Sequence, residues 1–471
     1  MSSNVVQVRP NEYEFDFSRG DQVLAQSQVS EIAASLGRYF VADLRIARAF
    51  YRGLEPLFAD WIDVALFIYL ADRLSPRRRR TSRHFSLQWG RCLQLKIPVH
   101  HPEVWSRPEI YESLRRLLYF FTEDDWHIEF IQNHKIPRPS ESQKSLLPIW
   151  KPNPVRVALY SGGLDSFAGT AQQITELPEH QFVLVSGVTN TRQGEAQRAQ
   201  IKAINKDARR PAIHIPVDYG LRQGIEREER SQRSRGFLFM TLGAVTAVTA
   251  GANELYIYEN GIGAINLPYD GSQVGTSSTR AVNPIALLRM AKFVTALTGI
   301  PFRIENPFLF QTKAEMCRHS KVKRLSEQIK LTFSCDGFPI RKKNQPQCGV
   351  CTSCLLRRLS LEGAGLSNHD SGYLHDLSSE QVFIGRKQLD LLWVMDWQAQ
   401  RLGAALSSSE PWQAFRQEFP ALIDVVSEVC KTNESRREEM RSALLRLYSQ
   451  YVSEWNSFSA RKLLTRQALA A

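Results

Sequence analysis

The chain has 471 residues, of which 43% are hydrophobic and 10% aromatic, so it is long enough for two or three globular domains with substantial cores. Its net charge of +12 lies mostly in residues 151–374, where 28 Lys and Arg outnumber 18 Asp and Glu. The longest uncharged run, Gly236–Asn253, contains three threonines and predicts a buried helix instead of a membrane span, and the first residues lack the features of a signal peptide. We therefore expect a cytoplasmic protein with no membrane partner.

Residues 1–150 predict a small α+β domain. Leu54–Leu74 places three aspartates (Asp60, Asp63 and Asp72) in a mostly apolar run, which predicts an amphipathic helix with one apolar face. His84–Val99 and Asp125–Gln132 alternate apolar and polar residues as strands do. The arginine run Arg77–Arg80 is typical of a solvated loop, with nucleic-acid binding as the alternative. A proline- and serine-rich linker ends this region.

Residues 151–374 alternate strand and helix patterns, which predicts a parallel sheet covered by helices on both faces. Ligands in such sheets bind beyond the carboxyl ends of the strands. Residues 375–471 are helical in pattern, in three segments: Gln388–Leu402, Trp412–Val429 and Glu434–Trp455. The predicted strands of the middle region are Val155–Tyr160, Phe182–Gly187, Pro211–Val217 and Leu255–Tyr258, and its predicted helices are Phe167–Gln173, Glu195–Asn205 and Phe237–Gly251.

The segment Ser161-Gly-Gly-Leu-Asp-Ser166 follows the first of these strands and leads into a helix. Gly162 and Gly163 allow the backbone to approach a ligand closely, and N–H groups at a helix start favour an anion. Ser161 and Ser166 can add hydroxyl donors. Strand, glycine turn and helix together predict a phosphate site, which suits the positive charge of this region; an ordinary strand–turn–helix connection is the alternative.

Asp165 is the unexpected member of this loop, because a carboxylate repels a phosphate unless a cation lies between them. We interpret Asp165 as helping to place Mg²⁺ or as fixing the loop through backbone bonds. The loop is not a Walker motif, since no Gly-Lys pair occurs in the sequence. It resembles the loop of the PP-loop ATP pyrophosphatases, which have an adenine nucleotide alpha hydrolase-like fold. Those enzymes grip the pyrophosphate of ATP while a substrate oxygen attacks the α-phosphorus, which leaves an adenylate.

Four of the seven cysteines are clustered with the spacing Cys-x12-Cys-x2-Cys-x2-Cys. Four thiolates at this spacing can complete a tetrahedral zinc site with no position open to water, which predicts a structural zinc. An iron–sulfur cluster is the alternative, but the fourth closely spaced cysteine and the proline of a ferredoxin motif are missing. The predicted ligands are Cys335, Cys348, Cys351 and Cys354.

The loop and the cysteine segment together resemble the 7-cyano-7-deazaguanine synthases, the QueC family. The cysteine segment runs from Thr332-x-x-Cys335 to Cys348-Gly-x-Cys-x-x-Cys354-x-x-Arg357. Shorter pieces lie in the order of that family, although the first lacks the family's tyrosine and Gly236 replaces an asparagine after the second. These are Gln193-Gly-Glu-Ala, Gln232-Arg-Ser-Arg235, and Asn306-Pro-Phe with Lys313-Ala-Glu; the resemblance covers about residues 153–370.

The resemblance implies an enzyme that adenylates 7-carboxy-7-deazaguanine with ATP, converts it to an amide with ammonia, and uses a further ATP to form the nitrile. Adenylation turns a carboxylate oxygen into a good leaving group, and cations offset the charge that develops on the phosphate. We expect Lys313 and Arg235 to serve in this way together with Asp165; solvated helix cations are the alternative for the two basic residues. The family's base-recognition stretch is absent, and Arg280, in the segment that replaces it, is expected to contact the ligand.

With residues 1–150 and 375–471 added to the core, the chain is similar to the extended QueC-like proteins of bacterial antiviral defence operons, such as the QatC component of the Qat system. That resemblance implies transfer of the activated deazaguanine acid to an amine of a partner protein, a QatB-like protein, at its N-terminus. Three alternatives remain: a nitrile synthase of the queuosine pathway that uses ammonia, an ATP-binding scaffold subunit without turnover, and a tRNA-modifying relative. The basic core alone favours the last, so a nucleic-acid partner is not expected.

Overall fold

The computed structural model describes residues 12–18, 22–27, 30–77, 90–143, 154–222, 229, 231–268, 280–336, 347–375, 377, 386–430 and 434–462. Three of the four arginines in the run at 77–80, the first part of the predicted strand at 84–99, and most of the segment that replaces the base-recognition stretch lie outside these residues. The predicted domain boundary near residue 150 lies outside them too.

Ten strands are found in the described part of the chain: β1 (Glu12–Asp16), β2 (Gln22–Ser27), β3 (Ser30–Val41), β4 (Cys92–Val99), β5 (Asp125–Gln132), β6 (Val155–Leu159), β7 (Gln181–Val188), β8 (Ile213–Arg222), β9 (Glu254–Tyr256) and β10 (Arg303–Glu305). The first helices are α1 (Leu44–Ala49), α2 (Pro56–Leu74), α3 (Pro102–Trp105), α4 (Pro108–Thr122), α5 (Leu164–Glu176), α6 (Thr191–Asn205), α7 (Arg235–Thr249) and α8 (Gly261–Ile265). They are followed by α9 (Pro284–Thr298), α10 (Lys313–Cys317), α11 (Ser320–Arg324), α12 (Thr352–Gly363), α13 (Arg386–Leu406), α14 (Pro411–Glu418), α15 (Ala421–Cys430) and α16 (Glu434–Lys462).

The ten strands form one sheet in the order β10-β9-β6-β7-β8-β3-β2-β1-β4-β5. The half from β10 to β8 is parallel throughout. Successive side chains of its strands point to opposite faces, so Val157 and Leu159 pack with α2, α7 and α9, while Ala158 and Tyr160 pack with α5 and α6. The predicted parallel sheet with helices on both faces is therefore confirmed.

The first third of the chain extends this same sheet. β3 pairs antiparallel with β8, with Tyr39 opposite Leu221 and Val41 opposite Tyr219. Helix α2 lies in the resulting core, and the rings of Tyr69 and Tyr219 meet edge to face. Strands from two distant parts of the sequence thus form one sheet.

The amphipathic character predicted for α2 is wrong, because its aspartates are not on a solvated face. Asp72 is fully buried and binds Arg91, and Asp60 accepts a hydrogen bond from the backbone N–H of His100. The helix is enclosed by β4, β8 and α7, so its carboxylates require partners inside the protein.

The C-terminal region is helical, as predicted, and packs around α16. The segment predicted as one helix, Trp412–Val429, is two helices, because Pro420 lacks the backbone N–H that a continuous helix needs after α14. Among the described residues, no helix is both long enough and apolar enough to cross a lipid bilayer.

Candidate nucleotide site and cysteine cluster

The loop Ser161–Ser166 leaves β6, a central strand of the parallel half, at its carboxyl end and leads into α5. In this structure the two serines bond the loop to itself. The N–H of Gly162 donates to Ser166 Oγ at 3.1 Å, and the N–H of Gly163 donates to Ser161 Oγ at 3.2 Å. The serine hydroxyl oxygens therefore accept from the same amides that would donate to the oxygens of a bound anion.

Gly162 is required by the geometry of the loop. Its φ of +80° is in the left-handed region, and a Cβ added there would lie 2.9 Å from Cγ of Gln197. Leu164 is the first residue of α5 and is buried in the core, which anchors the helix beneath the loop. The first N–H groups of a helix have no partner within it, so the start of α5 adds donors beside the two glycines.

A row of buried glutamines on α6 holds the loop from behind. Gln197 donates its side-chain amide to the Ser161 carbonyl at 3.0 Å, and Gln200 donates to the Gly162 carbonyl at 3.3 Å. Gln200 also accepts from Tyr160 Oη at 2.6 Å. The carbonyls of the loop are thus satisfied away from the ligand side. The sequence signal was present as glutamines at 193, 197 and 200, a helical spacing, but only the structure shows what they bind.

Asp165 and Lys313, both predicted as catalytic, lie together. Asp165 Oδ2 is 2.8 Å from Lys313 Nζ, and Asp165 Oδ1 accepts from Asn260 Nδ2 at 2.9 Å. Both side chains are buried, at 11% and 7% exposure. Burial alone would lower the pKa of Lys313, but Asp165 and Glu259 outweigh it and leave that pKa above its ordinary value. Lys313 is therefore a charged amine fixed beside the loop.

Glu259 is a member of this group that the sequence analysis missed. It follows β9 and accepts from Asn260 Nδ2 at 2.9 Å. Burial, and then the charge of Asp165, raises the pKa of Glu259 to about 8. The group therefore combines the Asp165 carboxylate, the carboxyl group of Glu259, one ammonium and one amide at the carboxyl ends of neighbouring strands, which is the edge where the loop lies.

The other two predicted basic residues are placed differently. Arg235 is exposed at the first residue of α7. Arg280 lies against the first third of the chain, with its guanidinium 3.0 Å from Glu123 Oε1 and over the ring of Phe120. The predicted roles of Arg235 and Arg280 at the ligand stay predictions.

The four clustered cysteines converge, with all four sulfurs within 4.8 Å of one another. The Sγ atoms of Cys348 and Cys354 are 3.9 Å apart, and those of Cys335 and Cys351 are 4.0 Å apart. Zinc–sulfur bonds of about 2.3 Å in a tetrahedron place the sulfurs about 3.8 Å apart. The four sulfurs and their spacing therefore fit zinc, which would link the segment that contains Cys335 to α12.

The cysteine cluster is connected to the nucleotide loop through residues 331–334. The Leu331 carbonyl accepts from Gln200 at 3.0 Å, and a Cβ on Gly163 would lie 3.2 Å from the Phe333 carbonyl oxygen. Arg357, fully buried on α12, donates to Thr332 Oγ1 at 2.7 Å. A metal held by the cysteines would therefore help to fix residues 331–334 against the loop Ser161–Ser166.

Comparison with known proteins agrees with this geometry. Residues 155–365 match the family model described as "Queuosine biosynthesis protein QueC", so the parallel half and the cysteine cluster contain a QueC family domain. Two proteins named 7-cyano-7-deazaguanine synthase are similar to this chain. The one from Nitrosococcus oceani is 27% identical over 234 residues, covering 45% of this chain and 96% of that protein. The one from Anaeromyxobacter sp. is 29% identical over 163 residues, covering 34% of this chain and 58% of that protein. The match therefore lies in the middle of the chain, and the flanking regions fall outside the family model.

Proposed function

We propose that this chain uses ATP to adenylate a 7-deazaguanine carboxylate, 7-carboxy-7-deazaguanine, and then transfers the acyl group to an amine. The observation that carries the proposal is the loop Ser161–Ser166 with the buried Asp165–Lys313 pair beside it, at the carboxyl end of a central parallel strand. The resemblance to 7-cyano-7-deazaguanine synthases supports the identity of the acid.

In the first step a carboxylate oxygen of the acid attacks the α-phosphorus of ATP, which gives the acyl adenylate and releases pyrophosphate. The loop amides and the start of α5 would hold the β- and γ-phosphates, and Lys313 would offset the charge that develops on the phosphate. Mg²⁺ bound with ATP would supply further positive charge, and Asp165 is the carboxylate that we propose to help place it. Arg235 and Arg280 are proposed as additional ligand contacts.

In the second step an amine attacks the acyl carbon, an amide bond forms, and AMP and a proton leave. We propose that the acceptor is an amine of a QatB-like partner protein, at its N-terminus, and that the reaction belongs to a bacterial antiphage defence system. The large regions outside the QueC family match support a changed acceptor, because they provide surface on which a protein can dock. Ammonia is the second candidate, favoured by the names of the relatives. It would give the amide with release of AMP, and a further ATP would be needed to dehydrate this amide to 7-cyano-7-deazaguanine.

Two measurements test the proposal in order. The first is exchange of labelled pyrophosphate into ATP, which should require 7-carboxy-7-deazaguanine and should be absent with guanine. ATP binding without any exchange would contradict adenylation and favour a scaffold subunit.

The second measurement identifies the acceptor by intact-mass spectrometry after incubation with ATP, the acid and the co-encoded partner protein. A partner mass increased by one acyl group supports the protein acceptor, and blocking the partner's N-terminus by acetylation should abolish the increase. An unchanged partner together with a nitrile product formed from ammonia would favour the synthase reaction instead.

A further inference from the structure

We propose that the C-terminal helix α16 is a positioning element of the nucleotide site, acting through Glu454 and Arg446 on the helix that carries Lys313. This inference rests on the proposed function, and it concerns residues outside the region that matches the QueC family model. Its starting point is that two charged side chains of α16 bind the segment that leads into the Lys313 helix.

The short helix α10 begins with a complete capping box. Thr312 Oγ1 accepts from the Glu315 N–H at 3.2 Å, and the Glu315 carboxylate accepts from the Thr312 N–H at 2.8 Å. Lys313 is the first residue after this cap, so the orientation of the cap sets where the Lys313 side chain starts. A five-residue helix gains little stability from its own hydrogen bonds, so this orientation depends on external contacts.

Both members of the capping box are held by α16. Thr312 Oγ1 donates to Glu454 Oε1 at 3.0 Å, and Glu454 is only 7% exposed. Arg446, two turns earlier, is 2.7 Å from Glu315 Oε1 and also donates to the Phe310 carbonyl. Glu454 and Arg446 are eight residues apart and so lie on one face of α16, which makes a two-point clamp on the start of α10.

The same helix also packs on the second partner of Asp165. Asn260, which donates to Asp165, caps the start of α8. A Cβ on Gly261 would lie 2.5 Å from Leu447 Cδ2, so α16 and α8 are in close contact there. The Gly261 N–H also donates to the Gln311 carbonyl, just before the Lys313 helix. Helix α16 therefore fixes both groups that hold Asp165, and a shift of α16 changes the distance between Lys313 and the loop.

The test compares Glu454→Leu with Glu454→Gln, because the amide oxygen of glutamine still accepts from Thr312 whereas leucine does not. Asp396→Ala is the matched control. It removes the hydrogen bond that Trp455 of α16 donates to Asp396 of α13 at 2.9 Å and does not touch the Lys313 helix. Two readouts are measured for each full-length variant: kcat and the KM for ATP in pyrophosphate exchange, and the rate at which an amine-reactive acylating reagent modifies Lys313, followed by peptide mass spectrometry.

We expect Glu454→Leu to lower kcat about ten- to a hundredfold, the range for a small misplacement of a reacting group. Lys313 should become modified severalfold faster, since the buried pair with Asp165 opens. Glu454→Gln should stay near the wild type in both readouts, and Asp396→Ala should lower the melting temperature without changing either. If Glu454→Leu does not fold, Thr312→Val and Thr312→Ser are compared instead. Valine removes the hydroxyl that donates to Glu454, whereas serine keeps it.

The inference is overturned if Glu454→Leu matches Asp396→Ala in both readouts, because α16 would then contribute only stability. Failure of the proposed function gives a different pattern, in which the wild type itself shows no exchange that depends on the acid. In that case the modification rate of Lys313 alone decides: faster modification in Glu454→Leu but not in Asp396→Ala supports the clamp, and equal rates refute it.

Discussion

Substitutions in the buried pair of Lys313 and Asp165 should affect the stability of the protein and its activity differently. Replacing Lys313 with Met leaves the Asp165 carboxylate in a site where it is 11% exposed, with Asn260 as its remaining neutral donor. Removing one partner of a buried ion pair costs about 3–5 kcal/mol, because the other charge stays buried without compensation. Lys313→Met should therefore lower the free energy of unfolding by about this amount.

The double variant Lys313→Met/Asp165→Asn removes both charges, and the asparagine can still accept from Asn260. It should be more stable than Lys313→Met by about 2 kcal/mol, within the range for coupled neighbours. Urea unfolding followed by tryptophan fluorescence measures the stability of each variant, and pyrophosphate exchange measures its activity. We expect activity to be lost in both variants, so that stability recovers in the double variant while activity does not.

Lys321→Met is the control for the loss of a lysine. Lys321 is buried like Lys313, but its partner Asp207 is 64% exposed, so water solvates the carboxylate that remains. The change in stability should be below about 1 kcal/mol. The reasoning is refuted if Lys313→Met unfolds at the same urea concentration as this control, or if the double variant regains exchange activity.

Three further predictions concern the surroundings of the loop. Cys354→Ser should lower the zinc content of the purified protein, measured by inductively coupled plasma mass spectrometry, and normal zinc with an unchanged melting temperature would contradict the proposed site. Gln200→Leu should destabilise the protein by about 1–3 kcal/mol in urea, because the Gly162 and Leu331 carbonyls lose a buried donor. Burial, and then the charges of Arg198 and Arg45, lowers the pKa of His214 to about 4. Between about pH 6.5 and 4 the imidazole of His214 is protonated in the unfolded chain but not in the folded protein. The free energy of unfolding should therefore fall as the pH falls through this range, by at most about 1.4 kcal/mol per pH unit. His214→Gln should flatten this part of the pH profile, and an unaltered slope would show that another group is responsible.

The features that sequence could predict are those coded within a short stretch. The apolar run before Ser161, the two glycines and the helix pattern after them identify one strand–turn–helix unit, and the structure has that unit. The spacing of the four cysteines carries similar local information, and their sulfurs converge. Asp165 was identified from the chemistry of the loop and Lys313 from the resemblance to a family, and the structure brings the two side chains into contact.

The features that sequence could not predict depend on pairing between distant segments. Nothing in β3 indicates that its partner is β8, because register is set by the surfaces that meet when the chain folds. The aspartates of α2 suggested a solvated face, but Asp72 binds Arg91 and Ser234, which are 19 and 162 residues away in the sequence. A polar residue in an apolar helix has the same pattern whether it faces water or a buried partner. Glu454 was missed because α16 contains many charged residues, and the sequence does not show which of them is buried.

The pairing of β3 with β8 has a practical consequence for anyone who trims this chain to the region shared with its relatives. A fragment that began at residue 154 would leave the backbone of β8 between Tyr219 and Arg222 without its neighbouring strand. It would also uncover the apolar side of α7, against which α2 packs. An open strand beside bare apolar surface recruits other chains, so such a fragment should precipitate or self-associate on expression. The strands and helices before residue 154 thus cover an edge and an apolar surface of the parallel half.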